Sequence, residues 1–330
     1  MPDRDAPDQW LDPETTHPPR TPDPVVVLYV GGMPRGGTTL LDLMIGQLPG
    51  HVAVGELFYI WLTGLDRDRL CGCGETFHQC PFWQKVGDRA FGGWDQVDLP
   101  AVKQLVRRVD RTVYLPLLLA PWLDKRFQAR LAEYQRVMTS VYSAIAEVAG
   151  ASVVVDSSKR PSLAYALRSA PGVDLRLVHM MRDPRGVVQS WSQEVAIPDG
   201  AGARDHLKVR SAREVTRRWV TVHTMIGGLL RLGVPGTTIR YEDLVLDPQG
   251  AMRAAAAVTG TPLTDGDLDF LGEDGLHLSS HHTVAGGRIR FNSSPMPLRL
   301  DEKWRREMPA RRRRFVEIAT WPMRRRHGYH

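Results

Sequence analysis

The chain has 330 residues, 42% of them hydrophobic, and 43 Lys and Arg against 37 Asp and Glu give a net charge of +6. That suffices for one large core, while the absence of any apolar run near 18 residues argues against a membrane span. The N-terminus lacks a basic-then-apolar signal pattern, so the expected location is cytoplasmic. Residues 1–24 hold six acidic and two basic residues among prolines and read as a disordered leader, leaving 25–330 as a single domain.

Val25 to Val30 is apolar and rich in β-branched Val, the pattern of a buried strand. Four glycines follow between Gly31 and Gly37, and Thr38 and Thr39 open an apolar-periodic helix that ends near Pro49-Gly50. Strand, glycine loop and helix start aim backbone N–H groups and a helix dipole at one point, which favours an anion. Gly32, four residues and Gly37 fit the frame of a nucleotide-triphosphate loop, but Thr38 stands where such loops carry Lys. The cation sits earlier, at Arg35, whose planar guanidinium suits a short branched anion.

Val52 to Val54 is a short β-like stretch ended by Gly55-Glu56, and Leu57 to Leu62 reads as an apolar and aromatic helix beside the loop. Cys71, Cys73 and Cys80 lie together with His78. Their odd number argues against a disulfide framework, and their spacing is no familiar zinc pattern, so they read as buried thiols in a compact loop without a metal. Residues 100–150 carry amphipathic helices with no strand between them and read as an inserted helical cap. The α/β pattern resumes with Ser152–Asp156, which runs into Ser157-Ser158-Lys159-Arg160. Leu175–Met181 is a further strand turned by Arg182-Asp183-Pro184 into a helix from Arg185 to Val195. A glycine-bearing loop at 196–205, expected to be mobile, a long amphipathic helix from Val209 and a strand at Thr238–Tyr241 complete the pattern. Alternation predicts an α/β fold, a P-loop-like three-layer α/β/α sandwich around a parallel sheet, with ligands at the strands' C-terminal ends. Arg35, Lys159 and Arg182 then converge on one sheet edge.

Pro34-Arg35-Gly36-Gly37-Thr38-Thr39-Leu40 resembles the 5′-phosphosulfate loop of sulfotransferases that use 3′-phosphoadenosine 5′-phosphosulfate (PAPS), with Gly36 where many members carry Ser. Arg182 and Ser190, eight residues apart, match the pair with which the family binds the cofactor's 3′-phosphate. Ile239 to Leu244 resembles the family's R-Y-E-D-L turn, and Gly286 to Phe291 stands where bacterial members often read G-N-P-x-R-F. The type most resembled is the bacterial relatives of the tyrosylprotein and carbohydrate enzymes. The resemblance implies PAPS as donor and adenosine 3′,5′-bisphosphate as product. It places Arg35, Gly36, Gly37, Thr38, Thr39 and Leu40 around the 5′-phosphate, and Arg288 or Arg290 on a phosphate from a loop folded over the nucleotide. Glu56, 21 residues after Arg35 in a Gly-Glu context like that of the tyrosylprotein enzymes, is the expected base, with His51, His281 and His282 as competitors.

A hydroxyl acceptor must lose its proton as it attacks sulfur, which is the work a carboxylate or His would do. Arg35 and Lys159 would stabilise charge building on the leaving oxygen. A sulfuryl group carries less charge than a phosphoryl group, so no metal should be required and activity should persist in excess chelator. The acceptor expected is a small-molecule, glycosyl or phenolic hydroxyl, with no nucleic-acid or membrane partner. The alternatives are a small-molecule kinase using ATP and Mg²⁺, or a nucleic-acid binder using Arg311–Arg314 and Arg324–Arg326, arginines that otherwise read as solvated faces.

Overall fold

The computed structural model describes residues 23–193, 195–196, 206–207, 209–291 and 295–330, and of residues 195–196, 206–207 and 288 the backbone alone. Most of the expected leader, the loop 197–205 and the side chain of Arg288 therefore lie outside the described residues.

The chain enters as β1 (Val25–Gly31), turns into α1 (Thr38–Ile45) and continues as β2 (His51–Ala53). Helices α2 (Pro81–Phe91), α3 (Leu99–Val109), α4 (Leu115–Leu119) and α5 (Lys125–Ala149) precede β3 (Val153–Asp156). Then come α6 (Pro161–Leu167), β4 (Val173–Met181), α7 (Pro184–Trp191) and a two-strand ribbon, β5 (Val195–Ala196) with β6 (His206–Leu207). The remainder is α8 (Ala212–Arg231), β7 (Gly236–Arg240), α9 (Tyr241–Leu246), α10 (Pro248–Thr259), a ribbon of β8 (Leu271–Gly272) and β9 (Gly275–Leu276), α11 (Trp304–Glu307) and α12 (Ala310–Arg326).

Five strands form one parallel sheet in the order β2-β3-β1-β4-β7. Alternation along β1 divides the core. Val27 and Tyr29 face buried residues of α5, α6 and α8, whereas Leu28 and Val30 face those of α1 and α10. Helices on both faces make the fold a three-layer α/β/α sandwich. The connection leaving β1 runs toward β2 and the one leaving β4 runs toward β7, so the chain diverges between these neighbours at their C-terminal ends. That divergence opens the crevice where such sheets bind ligands.

The segment expected as a cap contributes to the sandwich itself. Phe127, Leu131, Tyr134, Met138, Val141 and Ile145 of α5 are buried, and Tyr142 donates to Asp156 Oδ2 at 2.6 Å, tying the helix to the end of β3. Leu57 to Gly64 forms a 3₁₀ turn and a π turn in place of one helix. Helix α8 starts at Ala212, after the expected Val209, because the Ser211 hydroxyl accepts the Glu214 N–H at 3.2 Å and caps it there. No helix among the described residues is long and apolar enough to cross a membrane.

Candidate active site

The loop after β1 is built by close approaches. Gly36 closes a turn with its N–H 3.0 Å from the Met33 carbonyl, and Gly37 adopts φ 92° with Met180 and Tyr241 within 3 Å of where a Cβ would stand. A side chain at residue 37 would therefore meet both strain and a clash. Every residue of α1 is buried, and Gly37 offers no side-chain cap. The amides of Thr38, Thr39 and Leu40 thus open the helix without intrahelical partners, the condition that makes a helix N-terminus an anion site.

Two arginines tie this loop to α7. The Arg35 guanidinium donates to the Ser190 carbonyl and lies 4.9 Å over the Trp191 ring, while Trp191 Nε1 donates to the Pro34 carbonyl at 3.3 Å. Arg182 Nη1 donates to the Arg35 carbonyl at 2.9 Å, and its Nη2 reaches Asp301 Oδ2 at 2.9 Å. Arg182 is also stacked over Tyr241 at 4.4 Å. Burial would raise the Asp301 pKa, but the hydrogen bond and charge of Arg182 bring it below the ordinary carboxylate value. Arg35, Arg182 and Ser190 thus meet in the crevice between β1 and β4.

The second group lies at the end of β3. Lys159 Nζ is 2.6 Å from Glu56 Oε1, and the two side chains are only 5% and 17% exposed. Asp156 supports that turn by accepting from Ser158 N at 2.7 Å and from the Tyr142 hydroxyl, and burial pushes its pKa up to about 6. Glu56 is fixed by its own N–H, which donates to the Ala285 carbonyl at 3.0 Å. Two residues on, Gly287 N–H donates to Thr39 Oγ1 at 3.1 Å. The segment 283–290 therefore bridges the Glu56 side of the site to the start of α1.

Some expected residues stand elsewhere. Arg290, expected on a phosphate, is 4% exposed and turned inward, donating to the carbonyls of Thr283 at 2.7 Å and Leu70 at 3.0 Å. Its task is to hold the segment on the cysteine loop. His51 is at the N-terminal edge of the sheet, bonded to Pro49 and Thr259, away from the strand ends that form the site. His281 and His282 are held at the cysteine loop, and burial together with the Arg290 charge lowers the His281 pKa to about 4. The Glu242 carboxylate accepts from Asp183 N–H and the Tyr329 hydroxyl, which ties that turn to the start of α7 and to the C-terminus.

The sequence reading missed Asp42. Its carboxylate is fully buried, beside the Ser157 hydroxyl. Burial pushes its pKa well up while the charge of Lys159 pulls the other way. A lone Asp inside the apolar run Thr38–Ile45 was the available signal. Also unread was a cavity of about 400 Å³ beside Lys159, walled by Thr112, Arg160, Arg217, Arg218 and Thr221.

Residues 28–265 match the model of the sulfotransferase family. The chain belongs to this family. Among curated relatives, human carbohydrate sulfotransferase 6 is 30% identical over 177 residues, 47% of this chain and 42% of that protein. Mouse carbohydrate sulfotransferase 5 is 29% identical over 176 residues, again 47% and 42%. The chain thus spans less than half the length of the curated relatives it matches. Similar solved structures include the sulfotransferase domain of the Synechococcus PCC 7002 olefin synthase, 17% identical with a TM-score of 0.42 over 92% of this chain and 97% of that one. Another is sulfotransferase STF1 of Mycobacterium tuberculosis, 15% identical with a TM-score of 0.41 over 82% and 76%.

The crevice fits an anionic group on two observations. Arg35 Nη2 is buried without a partner among the described residues, and burial lowers the guanidinium's pKa, so a nearby anion would stabilise it. The opening amides of α1 lie on the same loop.

Proposed function

We propose that this sulfotransferase transfers a sulfuryl group from PAPS to a hydroxyl by in-line displacement. The observation that carries the reading is the meeting of Arg35, Arg182 and Ser190 in the β1/β4 crevice, one loop away from the helix start at Thr38. The donor supplies an activated sulfate on a phosphate leaving group. The amides of Gly37, Thr38, Thr39 and Leu40, with the Thr38 and Thr39 hydroxyls, would hold its 5′-phosphate, the Gly36 N–H being engaged by Met33, while Arg182 and Ser190 would hold its 3′-phosphate. Arg182 would exchange Asp301 for that phosphate.

Glu56 would take the acceptor's proton, since Lys159 engages Oε1 and Oε2 has no hydrogen bond among the described residues. Lys159 and Arg35 would stabilise the charge arriving on the leaving oxygen. The acceptor is a small-molecule, glycosyl or phenolic hydroxyl compound. Similarity to carbohydrate sulfotransferases favours a glycosyl group, and the cavity lined by Arg160, Arg217, Arg218 and Thr221 supplies the donors to hold one. Magnesium has no role in this chemistry.

Parallel assays with ³⁵S-labelled PAPS and γ-³²P-labelled ATP over a panel of sugars and phenols test the reading. Label is expected from PAPS alone, without added Mg²⁺, together with adenosine 3′,5′-bisphosphate. Arg182→Ala should weaken binding of that nucleotide. Transfer from ATP, or unchanged nucleotide binding in both Arg35→Ala and Arg182→Ala, overturns it.

A further inference from the structure

Cys71, Cys73 and Cys80 share a tight loop after the π turn. Gly74 takes φ 95°, and Cys71 exchanges hydrogen bonds with its own loop, its N–H donating to the Glu75 carbonyl and its carbonyl accepting from Gly74 N–H. All three cysteines are free. The residue that faces them comes from far along the chain. His282 Nδ1 lies 3.3 Å from Cys80 Sγ and 3.8 Å from Cys71 Sγ, and Cys73 Sγ lies 3.6 Å from Cys80 Sγ. The three sulfurs and one His282 ring nitrogen lie within 4.8 Å of one another.

Three of these separations, 3.3, 3.6 and 3.8 Å, lie close to the edges of a coordination tetrahedron. With metal–sulfur bonds of about 2.3 Å and metal–nitrogen bonds of about 2.0–2.1 Å, edges of ~3.6–3.8 Å follow. His78, the nearer histidine in sequence, is not part of the group, since its Nε2 faces the Leu65 carbonyl at 3.1 Å. His282 is held at its ring and at its backbone. Phe82 stacks on it at 4.6 Å with 5° between planes, and Trp83 Nε1 donates to its carbonyl at 3.1 Å. Arg290 joins the backbone beside both ends of the group, at Leu70 and Thr283, and sets a positive charge near a site whose three thiolates would outweigh a divalent cation.

We propose that Cys71, Cys73, Cys80 and His282 form a tetrahedral structural zinc site that fixes the segment 283–290 over the catalytic face. Three thiolates and an imidazole fill four positions, the closed set of a structural zinc centre, with no position open for substrate. Binding forms three Zn–S bonds and one Zn–N bond and releases the thiol protons to solvent, with no change of oxidation state. The consequence for the site follows from the hydrogen bonds just beyond His282. Val284 N–H donates to Val54, the Ala285 carbonyl receives Glu56 N–H, and Gly287 N–H reaches Thr39. The inference rests on the four side chains and not on the identity of the sulfate donor.

Metal analysis of the full-length chain, purified without chelator, tests this. About one zinc per chain is expected, falling toward zero in Cys80→Ser and in His282→Ala and unchanged in His78→Ala. Cobalt put in place of zinc should show the absorption of a tetrahedral thiolate centre. The native thiols should resist a thiol reagent until a high-affinity zinc chelator is added, and metal loss should lower the melting temperature. A native protein with far less than one metal per chain and three reactive thiols overturns the proposal, as does a Cys73–Cys80 disulfide found by mass spectrometry. Unchanged metal content in His282→Ala overturns it too. Brief EDTA treatment that leaves sulfate transfer intact, followed by loss on long incubation with a zinc chelator, separates this structural role from any metal requirement in the chemistry.

Discussion

Glu56→Gln separates a catalytic carboxylate from one that merely neutralises Lys159. The pair is 2.6 Å apart and both side chains are largely buried. Removing one partner of such a pair altogether costs about 3–5 kcal/mol, because the other charge is stranded. Gln keeps an oxygen for Lys159 Nζ, so the cost should be nearer ~1–2 kcal/mol, the weakening of one charged hydrogen bond. At about 2–4 °C per kcal/mol, the melting temperature should fall by ~2–8 °C and the protein should stay folded at assay temperature. Turnover should fall much further. Gln accepts no proton, and a positioned general base contributes about 10²–10⁴-fold, equivalent to ~2.7–5.4 kcal/mol of barrier. Calorimetric binding of adenosine 3′,5′-bisphosphate should stay near the parent value, because Glu56 is assigned no cofactor contact. Lys159→Met should instead lose both turnover and nucleotide affinity. A folded Glu56→Gln enzyme that binds the nucleotide and turns over at close to the parent rate would refute the assignment and leave Glu56 as a counter-ion.

Asp301→Asn removes a carboxylate that competes with phosphate for Arg182; nucleotide affinity should rise by up to ~5-fold, the ~1 kcal/mol scale of a partly exposed pair, measured by calorimetry. Arg35 has φ 67°, so Arg35→Gly and Arg35→Ala should both lose activity, with Gly the more stable by about 1 kcal/mol in chemical denaturation. His179 Nε2 lies 2.8 Å from His223 Nδ1 in the core, and burial lowers the His179 pKa from 6.5 to about 3. The unfolded chain therefore binds the proton first as pH falls, so stability is complete above pH 6.5 and is lost toward pH 3 by up to ~5 kcal/mol. A His179→Phe variant should flatten that acid limb in pH-dependent melting curves.

The sandwich was legible because its signals are local. The Val-rich run at Val25, the triple valine ending in Asp156 and the run ending in Met181 each bury both faces, and each is followed by a loop with a cation. The site was legible in part for the same reason, since Arg35, Lys159 and Arg182 follow strands whose C-terminal ends the parallel topology gathers. What escaped the reading depends on chain segments distant in sequence. The cysteine loop offered three ligands, and the fourth, His282, is 202 residues beyond Cys80. Arg290 matched a motif, but its guanidinium is drawn to the Leu70 carbonyl, 220 residues earlier, which no local pattern encodes. Helix α5 read as a cap because amphipathicity shows that a face is buried without showing against what; its Tyr142 finds the end of β3.

Backbone strain draws the two halves of the site together. Among the described residues, the non-glycine positions with positive φ are Arg35 at 67°, Asp68 at 45° and Lys159 at 57°. Two of these three are the cations assigned to the leaving oxygen, each in the turn directly after a sheet strand. A left-handed conformation costs a residue with a Cβ roughly 1–2 kcal/mol, and it persists only where surrounding contacts over-determine it. Those contacts are visible. Arg182 grips the Arg35 carbonyl and Ser190 receives its guanidinium, while Asp156 braces the turn before Lys159 and Glu56 receives its ammonium. Glycine would relax both turns but would remove both charges. The fold therefore keeps strained cations where the proposed transfer would need charge, and uses its capping and packing contacts to hold them there.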